Sequence, residues 1–102
     1  MTSVFLEVIF SAADFAAMGR GSRDEIEDQL DAALSDSQLG EIVGGGAGSV
    51  AVTIDVEIKD EVELDNALLL IREVLRGLSV PQSTIVRRAK PSEITYPIYD
   101  PV

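Results

Sequence analysis

The sequence contains no cysteine, no histidine and no tryptophan. Without cysteine there are no disulfides, thiol nucleophiles or thiolate metal ligands. Without histidine there are no imidazole ligands and no Ser-His or Cys-His catalytic arrangements. No apolar run approaches the roughly 18–20 residues of a membrane-spanning helix. We therefore expect no catalytic, cofactor-binding or metal site, no enzymatic activity and no insertion into a membrane.

Basic residues are also scarce: 8 Lys and Arg stand against 18 Asp and Glu, which gives a net charge of −10 at pH 7. Such a chain is repelled by the phosphates of nucleic acids and attracted to basic proteins. Of the acidic residues, 13 lie between residues 24 and 65, where Lys59 is the only basic residue. The charge pattern therefore predicts a basic protein partner and no nucleic acid.

The chain has 102 residues, of which 46 % are apolar, enough for one hydrophobic core and too few for two domains. We predict a single domain over residues 1–102 with a core of about residues 3–90. Pro91, Pro97 and Pro101 predict an extended C-terminal tail over residues 91–102, outside the interior of any sheet. The first residues lack the basic segment of a secretory signal, which predicts a cytoplasmic location.

The first half of the chain contains one strand and one helix by its apolar pattern. Residues 4–10 are mostly apolar and predict a largely buried strand, and residues 12–21 predict a connection rich in small residues. Ser22 and Glu25 have the spacing of a capping box, so a helix is expected over about residues 23–37. Its buried stripe would comprise Ile26, Leu30, Ala33 and Leu34.

The second half predicts a strand pair, a helix and a last strand. Residues 41–43 suggest a short strand and the glycine-rich residues 44–48 a hairpin loop or bulge. A phosphate-binding loop would need a helix directly after the glycines, and here the clearly alternating strand 50–58 follows. Asp60 and Glu63 predict the start of a helix that buries Leu64, Ala67, Leu68, Ile71 and Leu75, and residues 84–89 predict the last strand.

The resulting order is strand, helix, strand, strand, helix, strand. This order predicts an α+β fold, a ferredoxin-like βαββαβ sandwich in which two helices cover one face of an antiparallel sheet.

Acidic side chains recur on the first predicted helix at i, i+3, i+4 and i+7, and two more share a face of the third strand. Leu69 lies among charged residues on the second helix, as an interface anchor would. The predicted partner-binding residues are Asp24, Glu27, Asp28, Asp31, Asp55, Glu57 and Leu69.

Other interpretations stay open for these residues. The helix stripe is also typical of a solvated surface, and single exposed leucines are common. Glu7 is expected to face the same way as Asp55 and Glu57, so the three carboxylates offer oxygen ligands for a hard divalent ion. Equally, they fit a solvated sheet face with salt bridges to Arg87 or Arg88.

Several segments resemble a loosely defined set of short bacterial proteins of uncharacterised function. They are the glycines 44–46, residues 53–57 (TIDVE), Ala67 with Leu68, residues 71–76 (IREVLR) and residues 81–84 (PQST). The resemblance covers roughly the C-terminal two thirds of the chain. Some such small acidic proteins look like immunity proteins encoded beside toxins, and the resemblance implies no catalytic residues.

Charge and resemblance together lead to the hypothesis of a non-enzymatic protein-binding module, an inhibitor or immunity protein for a basic enzyme. The alternative is a small-molecule-sensing or oligomerising regulatory domain. It would form a homodimer through the exposed sheet face or the second helix, with Arg87 or Arg88 lining the ligand pocket.

Overall fold

A computed structural model describes residues 2–18, 23–88 and 93–99. They form an α+β fold, in which a five-stranded antiparallel sheet is combined with helices. The elements are β1 (Val4–Ser11), α1 (Ala12–Ala17), α2 (Arg23–Asp36), β2 (Gly40–Ala47), β3 (Ala51–Ile58), a 3-10 turn (Glu61–Glu63), α3 (Leu64–Gly77), β4 (Ile85–Arg88) and β5 (Ile94–Pro97). The strand order across the sheet is β2-β3-β1-β4-β5.

The hydrophobic core lies between one face of the sheet and the helices α2 and α3. Every second residue of β1 and β3 is apolar and buried, because successive side chains of a strand point to opposite faces. The predicted apolar stripes of both helices face the same core. Its members include Leu6, Val8 and Phe10 of β1, Ile54, Val56 and Ile58 of β3, Ile26, Leu30 and Leu34 of α2, and Ala67, Leu68, Ile71 and Leu75 of α3.

The second strand is longer than predicted. The glycines 44–46, expected in a hairpin loop, lie inside β2 and pair with residues 53–55 of β3. The register shifts between Ile42 and Gly44, so a bulge lies at Val43, before the glycines for which a loop or bulge was expected. The sequence suggested a loop because glycine is depleted in strands, but pairing with a strongly alternating neighbour outweighs that weak preference.

The helices also differ in detail from the prediction. The connection after β1 contains the six-residue helix α1, whose start is capped when the hydroxyl of Ser11 accepts a hydrogen bond from the Asp14 amide. The capping residue expected for α2, Ser22, lies outside the described residues. Before α3, Asp60 accepts from the amide of Val62 and caps a 3-10 turn that leads into the helix.

The tail adds an element that the sequence did not predict. Residues of β5 pair with β4 at the edge of the sheet, where Pro97 is tolerated. Ile98 is buried in the core, and its carbonyl accepts a hydrogen bond of 2.7 Å from Nε of Arg76. The hydroxyl of Tyr99 donates to the carbonyl of Val80. The described part of the tail therefore packs across its own domain.

Candidate functional site: the open face of the sheet

One face of the sheet is covered by α2 and α3, and the residues of β1 and β3 that alternate with the core residues lie on the other, open face. On β1 these are Phe5, Glu7 and Ile9. The sequence predicted a largely buried first strand, which is wrong for Phe5 because 61 % of that residue is exposed. Because most of this residue stays in contact with water, Phe5 gains less from folding than the buried apolar residues of the same strand.

Acidic residues on the open face lie directly opposite one another. Glu7 of β1 pairs with Asp55 of β3, and Glu41 of β2 pairs with Glu57 of β3. Directly opposite residues of antiparallel strands point to the same side of the sheet, and like charges in this position destabilise it. The fold therefore places two repulsive pairs on one surface.

Arg87 of β4 offsets part of this repulsion. It is the cross-strand neighbour of Glu7 on the side away from Asp55, and its Nη2 lies 2.5 Å from Oε1 of Glu7. The hydrogen bond and the charge of Glu7 raise the pKa of Arg87. Asp55, Glu57 and Glu41 form no ion pair within the described part of the chain. The net charge of the open face is consequently negative.

An apolar centre lies within this acidic surface. Phe5 and the bulged Val43, which is 48 % exposed, line a cleft of about 990 Å³ together with Glu7 and Asp55. Arg88 and Glu61 also line the cleft, and Nη2 of Arg88 lies 3.1 Å from Oε2 of Glu61. The part of the open face around this apolar centre comprises Phe5, Glu7, Glu41, Val43, Asp55, Glu57 and Arg87. Apolar side chains surrounded by charged ones are the usual composition of a protein-binding surface.

The acidic stripe of α2 lies on the helix layer, across the sheet from Asp55 and Glu57. Asp24 and Asp28 are exposed, whereas Glu27 forms an i,i+4 ion pair of 2.9 Å with Arg23. Oδ1 of Asp31 accepts a hydrogen bond of 3.2 Å from the amide of Ile42, beside the bulge of β2. Asp31 therefore helps to hold α2 against the edge of the sheet.

Leu69 of α3 lies on a third surface. It is 60 % exposed and borders a shallow pocket of about 340 Å³ with Asp65, Arg72 and the β5 residues Tyr96 and Pro97. The sequence could place Leu69 outside the core of α3, but it gave no sign that β5 would lie beside it.

The seven predicted partner-binding residues are thus distributed over three surfaces. Asp55 and Glu57 share the open face, Leu69 lies on α3, and the other four lie on α2. The open face also contains Phe5, Glu41 and Val43, which sequence reasoning missed. A signal for Phe5 was present: Glu7 interrupts an apolar run, and Phe5 is two residues away, on the same side of the strand. Val43 and Glu41 could not be placed, because the bulge that sets their register is not visible in the sequence.

Within residues 2–18, 23–88 and 93–99, no three Asp or Glu side chains are grouped so that they could hold a metal ion, and no helix is long and apolar enough to cross a membrane. The chain matches no protein family model, no curated protein and no solved structure.

Proposed function

We propose that this chain is a non-enzymatic module that binds a basic protein partner through the open face. The observation that carries the proposal is the presence of two cross-strand like-charge pairs, Glu7 with Asp55 and Glu41 with Glu57, beside exposed Phe5. The opposed carboxylates repel one another in the isolated chain. A basic surface with an apolar contact would neutralise these carboxylates and bury the ring of Phe5, and both changes favour binding.

The fold that we propose for this module is ferredoxin-like. In support, β1, α2, β2, β3, α3 and β4 follow one another in the βαββαβ order, and α2 and α3 pack on one face. Helix α1 and strand β5 would then be additions to that arrangement.

An inhibitor or immunity protein for a basic enzyme is the specific role that we propose. Negative charge on a binding surface raises the rate of association with a positively charged target, which an inhibitor needs, and the apolar centre slows dissociation. The resemblance to small bacterial proteins that look like immunity proteins agrees with this role. A cytoplasmic location is the corresponding expectation.

Self-association is the alternative, as an oligomerising or ligand-sensing domain. The open face opposes it, because two copies placed face to face would bring Glu7, Asp55, Glu41 and Glu57 against the same four carboxylates. A homodimer would instead use the surface around Leu69, which combines Tyr96 and Pro97 with the charges of Asp65 and Arg72. Light scattering of the purified chain distinguishes a monomer from such a dimer.

The test uses two variants of equal charge. D55K/E57K reverses the open face, and D24K/D28K reverses the exposed part of the α2 stripe; each changes the net charge by the same amount. In a pull-down from the native lysate at low salt, we expect the wild type and D24K/D28K to retain the same basic protein and D55K/E57K to lose it. Added salt should weaken the retained complex because it screens the attraction.

Two outcomes would contradict the proposal. Retention by D55K/E57K would show that the open face is not the binding surface. An equal loss in both variants would show that net charge alone is responsible. For the inhibitor role, the captured enzyme should lose activity when the wild-type chain is added and keep it with D55K/E57K.

A further inference from the structure

The two edge strands of the sheet differ in how well they could pair with a further strand. At one edge, β5 is four residues long and ends at Pro97, which has no amide hydrogen, and the next carbonyl, that of Ile98, is occupied by Arg76. At the other edge, β2 has eight residues and neither a proline nor a lysine. Its second half, residues 44–47, is Gly-Gly-Gly-Ala and carries no side chain larger than a methyl group.

The pairing with β3 determines which backbone groups of β2 point outward. The amide of Gly48 donates to the carbonyl of Ala51 at 2.9 Å, so this pair is a hydrogen-bonded one. Since hydrogen-bonded and non-bonded pairs alternate in an antiparallel ladder, Ala47 and Gly45 are in non-bonded pairs. Their N–H and C=O groups therefore point away from β3, toward the free side of the sheet.

The first half of β2 differs, because one of its outward-pointing backbone groups already has a partner. The amide of Lys59 donates to the carbonyl of Leu39 at 3.0 Å, and the same alternation directs the groups of Ile42 outward. The amide of Ile42 donates to Oδ1 of Asp31, which agrees with an outward direction of this amide. Within the described residues, neither a side chain nor a loop backbone group forms a hydrogen bond with Gly45 or Ala47.

The open half of the edge adjoins the acidic surface. A Cβ atom at Gly44 would lie 3.2 Å from Oδ2 of Asp55, so the carboxylate stands directly over the backbone of β2. Because glycine has no side chain, nothing on β2 separates this carboxylate from a residue placed beyond the edge. A lysine or arginine on a strand next to β2 would reach Asp55 on the open face.

We propose that residues 44–47 accept an extended basic segment of the partner as an additional strand beside β2. Backbone hydrogen bonds to Gly45 and Ala47 would supply affinity, and cationic side chains that reach Asp55 on the open face would supply the charge match. The inference that the segment is basic rests on the function proposed above. The inference that β2 has backbone groups available for pairing rests on the strand register alone.

The test uses a capped heptapeptide of alternating lysine and valine as the probe, with the full-length protein. We expect the peptide to slow hydrogen exchange of the Gly45 and Ala47 amides about tenfold when roughly nine tenths of the protein is bound, because exchange then occurs from the free fraction. The matched control is the same peptide with every valine replaced by proline, which has equal charge and fewer backbone donors. We expect this control to leave both amides unprotected.

A protein variant gives a second readout. In A47P the outward N–H is replaced by a proline ring, while the hydrogen bonds between β2 and β3 remain because this residue does not donate to β3. G46A is its control, since a Cβ there meets only Oγ1 of Thr53 at 3.7 Å. We expect A47P to lose binding of the lysine-valine peptide and G46A to keep it.

Three results would overturn the edge proposal. The first is no binding of the lysine-valine peptide, and the second is equal binding of the proline peptide. The third is protection of both amides in the peptide-free protein that increases with protein concentration. This last result would indicate that a second copy of the chain occupies the edge. Loss of the basic partner by D55K/E57K in the pull-down would still support the open face in each case, so the two proposals can fail separately.

Discussion

Phe10 and Phe5 lie on the same strand, β1, and on opposite faces of the sheet. Phe10 is completely buried and packs edge-to-face against Phe15, with ring centroids 5.1 Å apart, whereas Phe5 is mostly exposed beside acidic residues. On the covered face, the core-facing residues of β1 and β3 are apolar and buried, as a stable fold requires. The open face instead has exposed apolar groups and like charges opposite one another. Features that do not favour folding are expected where a surface serves binding.

The largest expected effect comes from the same substitution made on the two faces. F10A should destabilise the protein by about 3–5 kcal/mol, because it removes a buried ring and leaves a cavity. F5A should change stability by less than about 1 kcal/mol, since the ring is exposed, and should weaken partner binding. Urea unfolding measures both stabilities. Similar losses of stability in the two variants would show that Phe5 contributes to folding as Phe10 does.

Sequence reasoning located the covered face well. The stripes of α2 and α3 and the alternation of β3 were predicted, because burial imposes a strict periodicity on apolar residues. It did not predict the course of β2 or the existence of β5. Both depend on pairing with a neighbouring strand, and the local preferences of glycine and proline point away from a strand at these positions.

The acidic residues show the same limit. The sequence identified Asp31 and Asp28 as members of one stripe with one role, but Asp31 accepts a hydrogen bond from Ile42 and Asp28 is exposed. The difference arises because β2 passes beside one end of the stripe, a tertiary contact that periodicity cannot show. A helical stripe thus predicts which residues face outward, but not which of them meet another element.

A smaller effect is expected when these two acids are compared. D31A should cost about 1 kcal/mol more than D28A, because it leaves the amide of Ile42 without its protein acceptor. Both substitutions remove one negative charge and gain the same helix propensity, so the difference between them isolates the hydrogen bond. Thermal unfolding should place D31A about 4–8 °C below D28A. Equal melting temperatures would mean that the contact with Ile42 does not stabilise the fold.

The smallest effect, and the sharpest comparison, lies within the open face. E57Q should stabilise the protein by about 0.5 kcal/mol, because Glu57 lies opposite Glu41 and neutralising it removes a repulsion. E7Q should destabilise it, because Glu7 loses its charged contact with Arg87 although it also lies opposite Asp55. The two substitutions are chemically identical, so opposite signs in thermal unfolding at low salt would show that Glu57 is retained at a cost to stability. Added salt should reduce both effects. If E57Q is destabilising as well, the repulsion inferred from the register is relieved in solution, and the main argument for a binding function of this face is lost.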